Sequence, residues 1–165
     1  MNDNQQKMID EFRKSLTDLD ENLENMPEEG GLDWSEEGEW SIREVLHHLA
    51  EDCNVYAFII ERGLATPDCK VFFGEFPGNQ EWGKRLAFGE RPVDNARALM
   101  HAHRAFLAEL LGYFPDRWEN KVNFYNTEGE KEADSTVGEM LVMLTEHMQE
   151  HTEMIRGIIE KHTAG

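Results

Sequence analysis

Apolar residues recur along this chain at three- and four-residue steps in four long stretches, the spacing that one buried face of an α-helix requires. In the first stretch Met8, Phe12, Leu16, Leu19 and Leu23 share a face. This predicts a helix from about residue 3 to about residue 25, ended by Pro27 and then by Gly30 and Gly31. The second stretch opens at Ser41-Ile42-Arg43-Glu44, where Ser41 suits the N-cap and Glu44 can reach back to it, with Trp40 and Val45 placed as a hydrophobic staple. Its stripe is Ile42, Val45, Leu46, Leu49, Cys53, Tyr56 and Ile60, and Gly63 marks its expected end. The third helix is expected from Asp94 to Tyr113, stopped by Pro115, with Ala96, Leu99, Phe106, Leu107, Leu110 and Phe114 on its buried face. The fourth follows another capping box, Thr136 to Glu139, and should end near Lys161, leaving His162 at a frayed end. Its stripe is Val137, Met140, Leu141, Leu144, Met148, Ile155, Ile158 and Ile159.

The connections are unequal. Glu28 to Glu39 is an acidic loop in which Trp34 serves as a packing anchor. Residues 64–92 form a long connection carrying Phe72, Phe73, Phe76, Trp82 and Phe88, with a short strand expected at Val71-Phe72-Phe73 and a helical turn from Gln80 to Ala87. These aromatics are either a lid over a pocket or a cap on one end of the helices. Cys69 beside Lys70 is either a reactive thiol or an ordinary loop cysteine. Between the third and fourth helices, Lys121 to Asp134 has the alternation of a small β-hairpin turning at Glu128-Gly129. Four amphipathic helices define an all-α four-helix bundle in a single domain over 1–165, and the long crossover between helices two and three lets those two run parallel.

The chemistry-bearing residues then sort by face. His147 and His151, four apart, stand one above the other on the last helix. Both fall inside the apolar stripe or at its edge, whereas Glu146, Glu150 and Glu153 fall outside it. Such a pair is either hydrogen-bonded in the core or a metal-binding pair. On the second helix His47 lies about 140° from the stripe centre and is expected in solvent. His48 lies on the stripe's flank with Asp52, Val55 and Ile59. On the third helix His103 faces inward as a pocket-lining candidate, and His101 faces out. Three histidines, His48, His147 and His151, would all face inward by chance about one time in twenty-seven if an interior stripe takes a third of each helix. A shared site is the better reading. Three imidazoles leave a fourth position open around a divalent ion, the catalytic rather than the structural pattern, where water or a thiol would be acidified. Zinc suits these ligands best, with nickel, iron and manganese as alternatives. Asp52 could orient a ligating imidazole or act as a base, or be a partly exposed helix carboxylate.

Charge narrows the partners. Thirty-four acidic residues stand against sixteen basic ones, for a formal net charge of -18 over 165 residues. That surface repels phosphate backbones and anionic lipid, so neither nucleic acid nor a membrane is an expected partner. Two cysteines imply no disulfide framework. No basic cluster followed by an apolar run opens the sequence, and no stretch is long enough to span a bilayer, so a cytoplasmic location is expected. A small-molecule substrate and a homodimer formed through an exposed helix face complete this picture.

The stretch Trp40-Ser41-Ile42-Arg43-Glu44-Val45-Leu46-His47-His48-Leu49-Ala50 resembles the second-helix motif of the DinB-like (DinB/YfiT) superfamily, and Thr136 to Leu141 followed by His147 and His151 resembles its last-helix motif. The resemblance implies an up-down-down-up bundle with a metal site made by His48, His147 and His151. It also implies a metal-dependent enzyme, either a transferase that activates a low-molecular-weight thiol or a hydrolase. The alternative outside enzymology is a non-catalytic bundle that binds a small molecule or a protein.

Overall fold

The computed structural model describes residues 1–27 and 30–164. Glu28 and Glu29, which open the expected acidic loop, lie outside the described residues. Four long helices form the bundle: α1 (Asp3–Glu24), α2 (Ile42–Ala65), α4 (Asp94–Tyr113) and α5 (Val137–Thr163). A short helix α3 (Asn79–Arg85) and strand β1 (Cys69–Phe72) lie in the long crossover, and β2 (Lys121–Tyr125) and β3 (Lys131–Thr136) form the hairpin before α5. Three of the long helices start at reciprocal capping boxes: Asn2 with Gln5, Ser41 with Glu44, and Thr136 with Glu139. Each box satisfies two backbone N–H groups that the first turn leaves open.

Helix directions follow from which ends meet. Arg43 at the start of α2 donates to the Arg91 carbonyl just before α4, and Asn120 just beyond α4 donates to the Gly63 carbonyl near the end of α2. α2 and α4 are therefore parallel. Gln5 near the start of α1 donates to the Pro115 carbonyl past the end of α4, and Arg97 near the start of α4 pairs with Asp20 late in α1, so these two are antiparallel. α5 begins where α2 ends, with Val137 beside Gly63. The result is the up-down-down-up order, with α1 and α2 each packed between α4 and α5. The apolar stripes of α1, α2 and α5 are buried as their periodicity requires, with Met8 and Tyr56 half-covered at the edge.

The α4 face differs from expectation. Ala96, Met100, Arg104, Leu107, Ala108 and Leu111 are buried, while Leu99 and Phe106 are exposed. Apolar residues occupy more than half the circumference of this helix, so their mean direction is a poor guide. The true core face centres on Arg104, a charge that reads as surface. Its guanidinium donates to the Phe12 carbonyl, to Ser15 Oγ at 2.7 Å and to the Leu144 carbonyl at 3.0 Å, and its carbon lies 4.1 Å from the centre of the Phe12 ring.

The crossover is tied at both ends. β1 joins β2 in parallel, with Cys69 opposite Val122, and β2 pairs antiparallel with β3. The strand starts two residues earlier than the apolar pattern suggests, and Cys69 is buried within it rather than free in a loop. At the other end α3 packs on the start of α2, where Trp40 Nε1 donates to Gln80 Oε1 at 2.6 Å. Between these anchors Gly74 and Gly78 take positive φ values of 67° and 88°, conformations that a side chain would strain. Phe72 stacks on Tyr125, Phe73 on Phe124, and Phe76 leans on Trp82. These rings cover the hairpin and one another; only Phe88 among the five expected aromatics is buried.

Gly63 lies inside α2 rather than past its end. A Cβ there would come within 2.8 Å of Val137 Cγ2 and 2.9 Å of Val122 Cγ2, so the glycine lets the sheet and α5 approach α2 closely. Gly157 on α5 has open space around its Cβ position. Gly63→Ala should therefore destabilise the fold by about 1–3 kcal/mol through overpacking, whereas Gly157→Ala should stabilise it by roughly 1 kcal/mol through helix propensity. Urea denaturation of the two variants checks the opposite signs.

Candidate metal centre

His48 from α2 and His147 and His151 from α5 converge in the cleft between these helices. The ligand-capable nitrogens of the three lie within 4.8 Å of one another. His147 Nε2 is 3.3 Å from His48 Nε2 and 3.0 Å from His151 Nε2. The local reasons are plain. The Ser41 capping box fixes the start of α2, which puts position 48 on the flank facing α5. The one-turn spacing of 147 and 151 then presents two rings to it. His48 is buried, whereas His147 and His151 are half-buried, so one side of the cluster opens to solvent.

Asp52, one turn beyond His48, places Oδ2 3.1 Å from His147 Nδ1 and 3.6 Å from His48 Nε2. A proton on His147 Nδ1 donated to this carboxylate leaves the Nε2 lone pair pointing into the cluster. Trp40 stands edge-on to His48 with ring centres 4.9 Å apart and closes the side towards the start of α2.

The electrostatics disfavour charge on two of the three rings. Burial, with His147 and His151 alongside, holds His48 at about 4. Burial and then His147 hold His151 at about 4. Both rings are thus neutral near pH 7, the form in which imidazole offers a lone pair. Burial pushes the Asp52 carboxyl up against the opposing pull of His147.

The donor set fits a divalent ion. Nitrogen ligands at about 2.0–2.1 Å around a tetrahedral centre lie about 3.3 Å from one another, close to the separations here. The buried Nδ1 of His151 has no hydrogen-bond partner. An orphaned buried donor costs about 1–3 kcal/mol, which the fold bears while holding Nε2 in the cluster.

The other histidines divide. His101 is exposed and pairs with Asp20 at 2.8 Å. His103 is half-buried on α4, with its Nδ1 buried and unpartnered; no hydrogen bond, ion pair or ring contact among the described residues joins it to the cluster. His162, expected at a frayed end, stays within α5 and stacks on Trp34 with ring centres 4.7 Å apart. His47 overturns its expectation. It is buried, not in solvent, at 3% exposure. Its ring stacks on Phe88 at 5.4 Å, and Nε2 lies 3.3 Å from the Arg91 carbonyl. The stretch from α3 to α4 folds over the back of α2 and covers a position that α2 alone would leave wet.

A helical bundle whose second and last helices present three convergent histidines is the architecture this chain defines. Residues 11–155 match the DinB superfamily, and the chain belongs to it. Among solved structures it is similar to YfiT from Bacillus subtilis, described as a probable metal-dependent hydrolase with an unusual four-helix bundle topology. The TM-score is 0.80 at 17% sequence identity, covering 99% of this chain and 90% of that one. That likeness is one of fold. No curated protein matches the sequence.

Burial gives His47 a structural role beside the cluster. His47→Ala should lower stability by about 1–3 kcal/mol, the range for truncating a buried ring that packs on Phe88 and hydrogen-bonds the Arg91 carbonyl. Thermal or urea unfolding of the variant provides the measurement.

Proposed function

We propose that this chain is a metal-dependent enzyme that activates a small nucleophile at His48, His147 and His151. The observation supporting this reading is the convergence of three imidazole nitrogens with Asp52 against His147. A bound divalent ion, zinc first and nickel, iron or manganese next, would supply Lewis acidity and lower the pKa of water or a thiol. The chain's own residues do the rest. Asp52 orients the His147 ring and holds its Nδ1 proton. Trp40 shields the His48 side from water. The half-buried edges of His147 and His151 leave room for substrate. The acidic surface concentrates cations near the opening.

The leading reading for the nucleophile is a low-molecular-weight thiol, which makes the protein a transferase. The second reading is water, which makes it a hydrolase; the fold likeness to YfiT, itself described as a probable metal-dependent hydrolase, favours it. Both cysteines are free and buried, which suits a reducing cytoplasm. Incubating the metal-loaded protein with an electrophile such as a haloaromatic, with and without a panel of thiols, separates the two. Consumption that requires a thiol supports the transferase; turnover only in its absence rules that reading out.

Metal content separates either enzyme from a non-catalytic binding bundle. His48→Ala, His147→Ala and His151→Ala should each abolish stoichiometric zinc uptake, because two protein ligands are too few. His101→Ala should bind metal as the parent does. Asp52→Asn should weaken metal affinity by about 10–100-fold, the usual effect of losing a carboxylate behind a ligating histidine. Full occupancy in the His147→Ala or His151→Ala protein, read by elemental analysis of untagged samples, would refute the site.

A further inference from the structure

The crossover runs beside the histidine cleft. His48, Val55 and Arg62 are seven residues apart on α2 and so form one row along its outer flank. Both ends of that row hold the crossover. At the foot, Arg62 donates to the Lys70 carbonyl at 2.9 Å. At the head, Trp40 stands edge-on to His48 and donates to Gln80. The chain between residues 70 and 80 therefore spans the flank that carries His48. It does not seal that flank, because Val55, midway along the row, is 37% exposed. Across the cleft, Met143, His147, Glu150 and Met154 make the matching row of α5 at steps of four, three and four. The mouth of the cleft thus has three walls: α2, α5 and the crossover.

Those walls combine bare aromatic faces with charge of one sign. Phe73, Phe76 and Trp82 are 51%, 54% and 37% exposed. Phe76 and Trp82 meet at 53° with ring centres 5.7 Å apart, so their faces are set at an angle rather than stacked. Residues 44–61 of α2, 71–83 of the crossover and 137–155 of α5 contain no lysine or arginine, yet carry four, two and four aspartates and glutamates. Cations that flank these spans are already engaged. Arg62 and Lys70 lie over the Phe58 and Tyr125 rings, 5.8 and 5.0 Å from their centres, and Arg85 pairs with Glu81 at 2.7 Å.

We propose that the cleft takes a small organic cation, an amine or quaternary ammonium compound with an apolar body, its charged end against the crossover rings. The proposal rests on the reading of the histidine cleft as a small-molecule site and names the class of molecule. The face of an aromatic ring attracts a cation through its quadrupole, and nearby carboxylates add to that attraction. A neutral apolar molecule gains from the rings alone. An anion meets carboxylates on all three walls and no lysine or arginine within the spans that form them. A divalent ion at His48, His147 and His151 changes the field at its own ligands. The rim lies beyond them, where Glu75 stands between Phe73 and Phe76 in the chain. Recognition of the cationic end is therefore separable from the metal.

Three probes of matched shape provide the test: phenyltrimethylammonium, uncharged tert-butylbenzene and anionic benzenesulfonate. Their binding to the full chain, metal-free and zinc-loaded, is measured by ligand-observed NMR titration. Phenyltrimethylammonium should bind about tenfold more tightly than tert-butylbenzene in both forms, and benzenesulfonate should bind more weakly than either. Phe76→Ala and Trp82→Ala should each weaken the cation several-fold with helical circular dichroism unchanged. Phe106→Ala removes an equally exposed ring on α4, 49% exposed, and should leave the affinity as it is. Equal affinity for the cationic and neutral probes would overturn the proposal. So would tighter binding of the sulfonate, or equal losses in the Phe76→Ala and Phe106→Ala proteins. Zinc content of the same samples keeps the two readings apart. A cation preference in protein that takes up no zinc supports this proposal and refutes the metal reading; zinc uptake without a cation preference does the reverse.

Discussion

The guanidinium of Arg104 holds the centre of the bundle. Among the described residues it has no carboxylate partner. Main-chain carbonyls at Phe12 on α1 and Leu144 on α5 accept from it, as does Ser15 Oγ, and the Cys53 thiol of α2 lies alongside. All four long helices therefore meet one planar cation. A carbonyl engaged in its own helix keeps a second lone pair, so the contacts need not break a helix. They do set heights. Leu144 is one turn before His147, and Cys53 is just over one turn after His48. Fixing α5 against α2 at the arginine thus brings three imidazoles level nearby. The histidine cluster depends on a clamp set deeper in the bundle.

Burial of a cation without a counter-ion is costly unless its hydrogen bonds are made. Here the two terminal nitrogens donate to three oxygens beside a thiol and an aromatic face, while the buried Nε is left without a partner. The same economy governs the histidine cluster. His48 and His151 are neutral because burial and neighbouring imidazoles disfavour protonation, and Asp52 stands against His147 Nδ1. Positive charge is thus kept off His48 and His151, while the chain as a whole carries a net charge of -18. A divalent cation would be the compensating charge for both.

Much of this was readable from the chain because its signals are local. Capping boxes at Ser41 and Thr136 fix helix phase, and phase decides which way His48, His147 and His151 point. The Glu128-Gly129 turn lies between two alternating segments and produces the hairpin. What could not be read depends on residues far away in sequence. His47 points off the stripe of its own helix and is covered only because Phe88 and Arg91 return over it. Arg104 is buried by partners on three other helices. Gly63 resembles a stop signal until Val122 and Val137 arrive beside it. The parallel pairing of β1 with β2 joins segments separated by the whole of α3 and α4, and no pattern within β1 announces it. The Asn2–Gln5 box is the exception, a local signal made with Asn and Gln in place of the hydroxyl and carboxylate of the other two boxes.

The crossover segment from Phe73 to Gly78 is pinned by a parallel strand at one end and by the Trp40–Gln80 contact at the other. A tether held at both ends is constrained in length more than in composition. The span must reach from the foot of α2 to its head, and the two glycines must keep their turns. The rings between them lean on the hairpin and on Trp82, and no helix of the bundle relies on their identity. Residues 73, 75 and 76 can therefore be exchanged during divergence at little risk to the fold, whereas an insertion or deletion there would pull on both anchors at once.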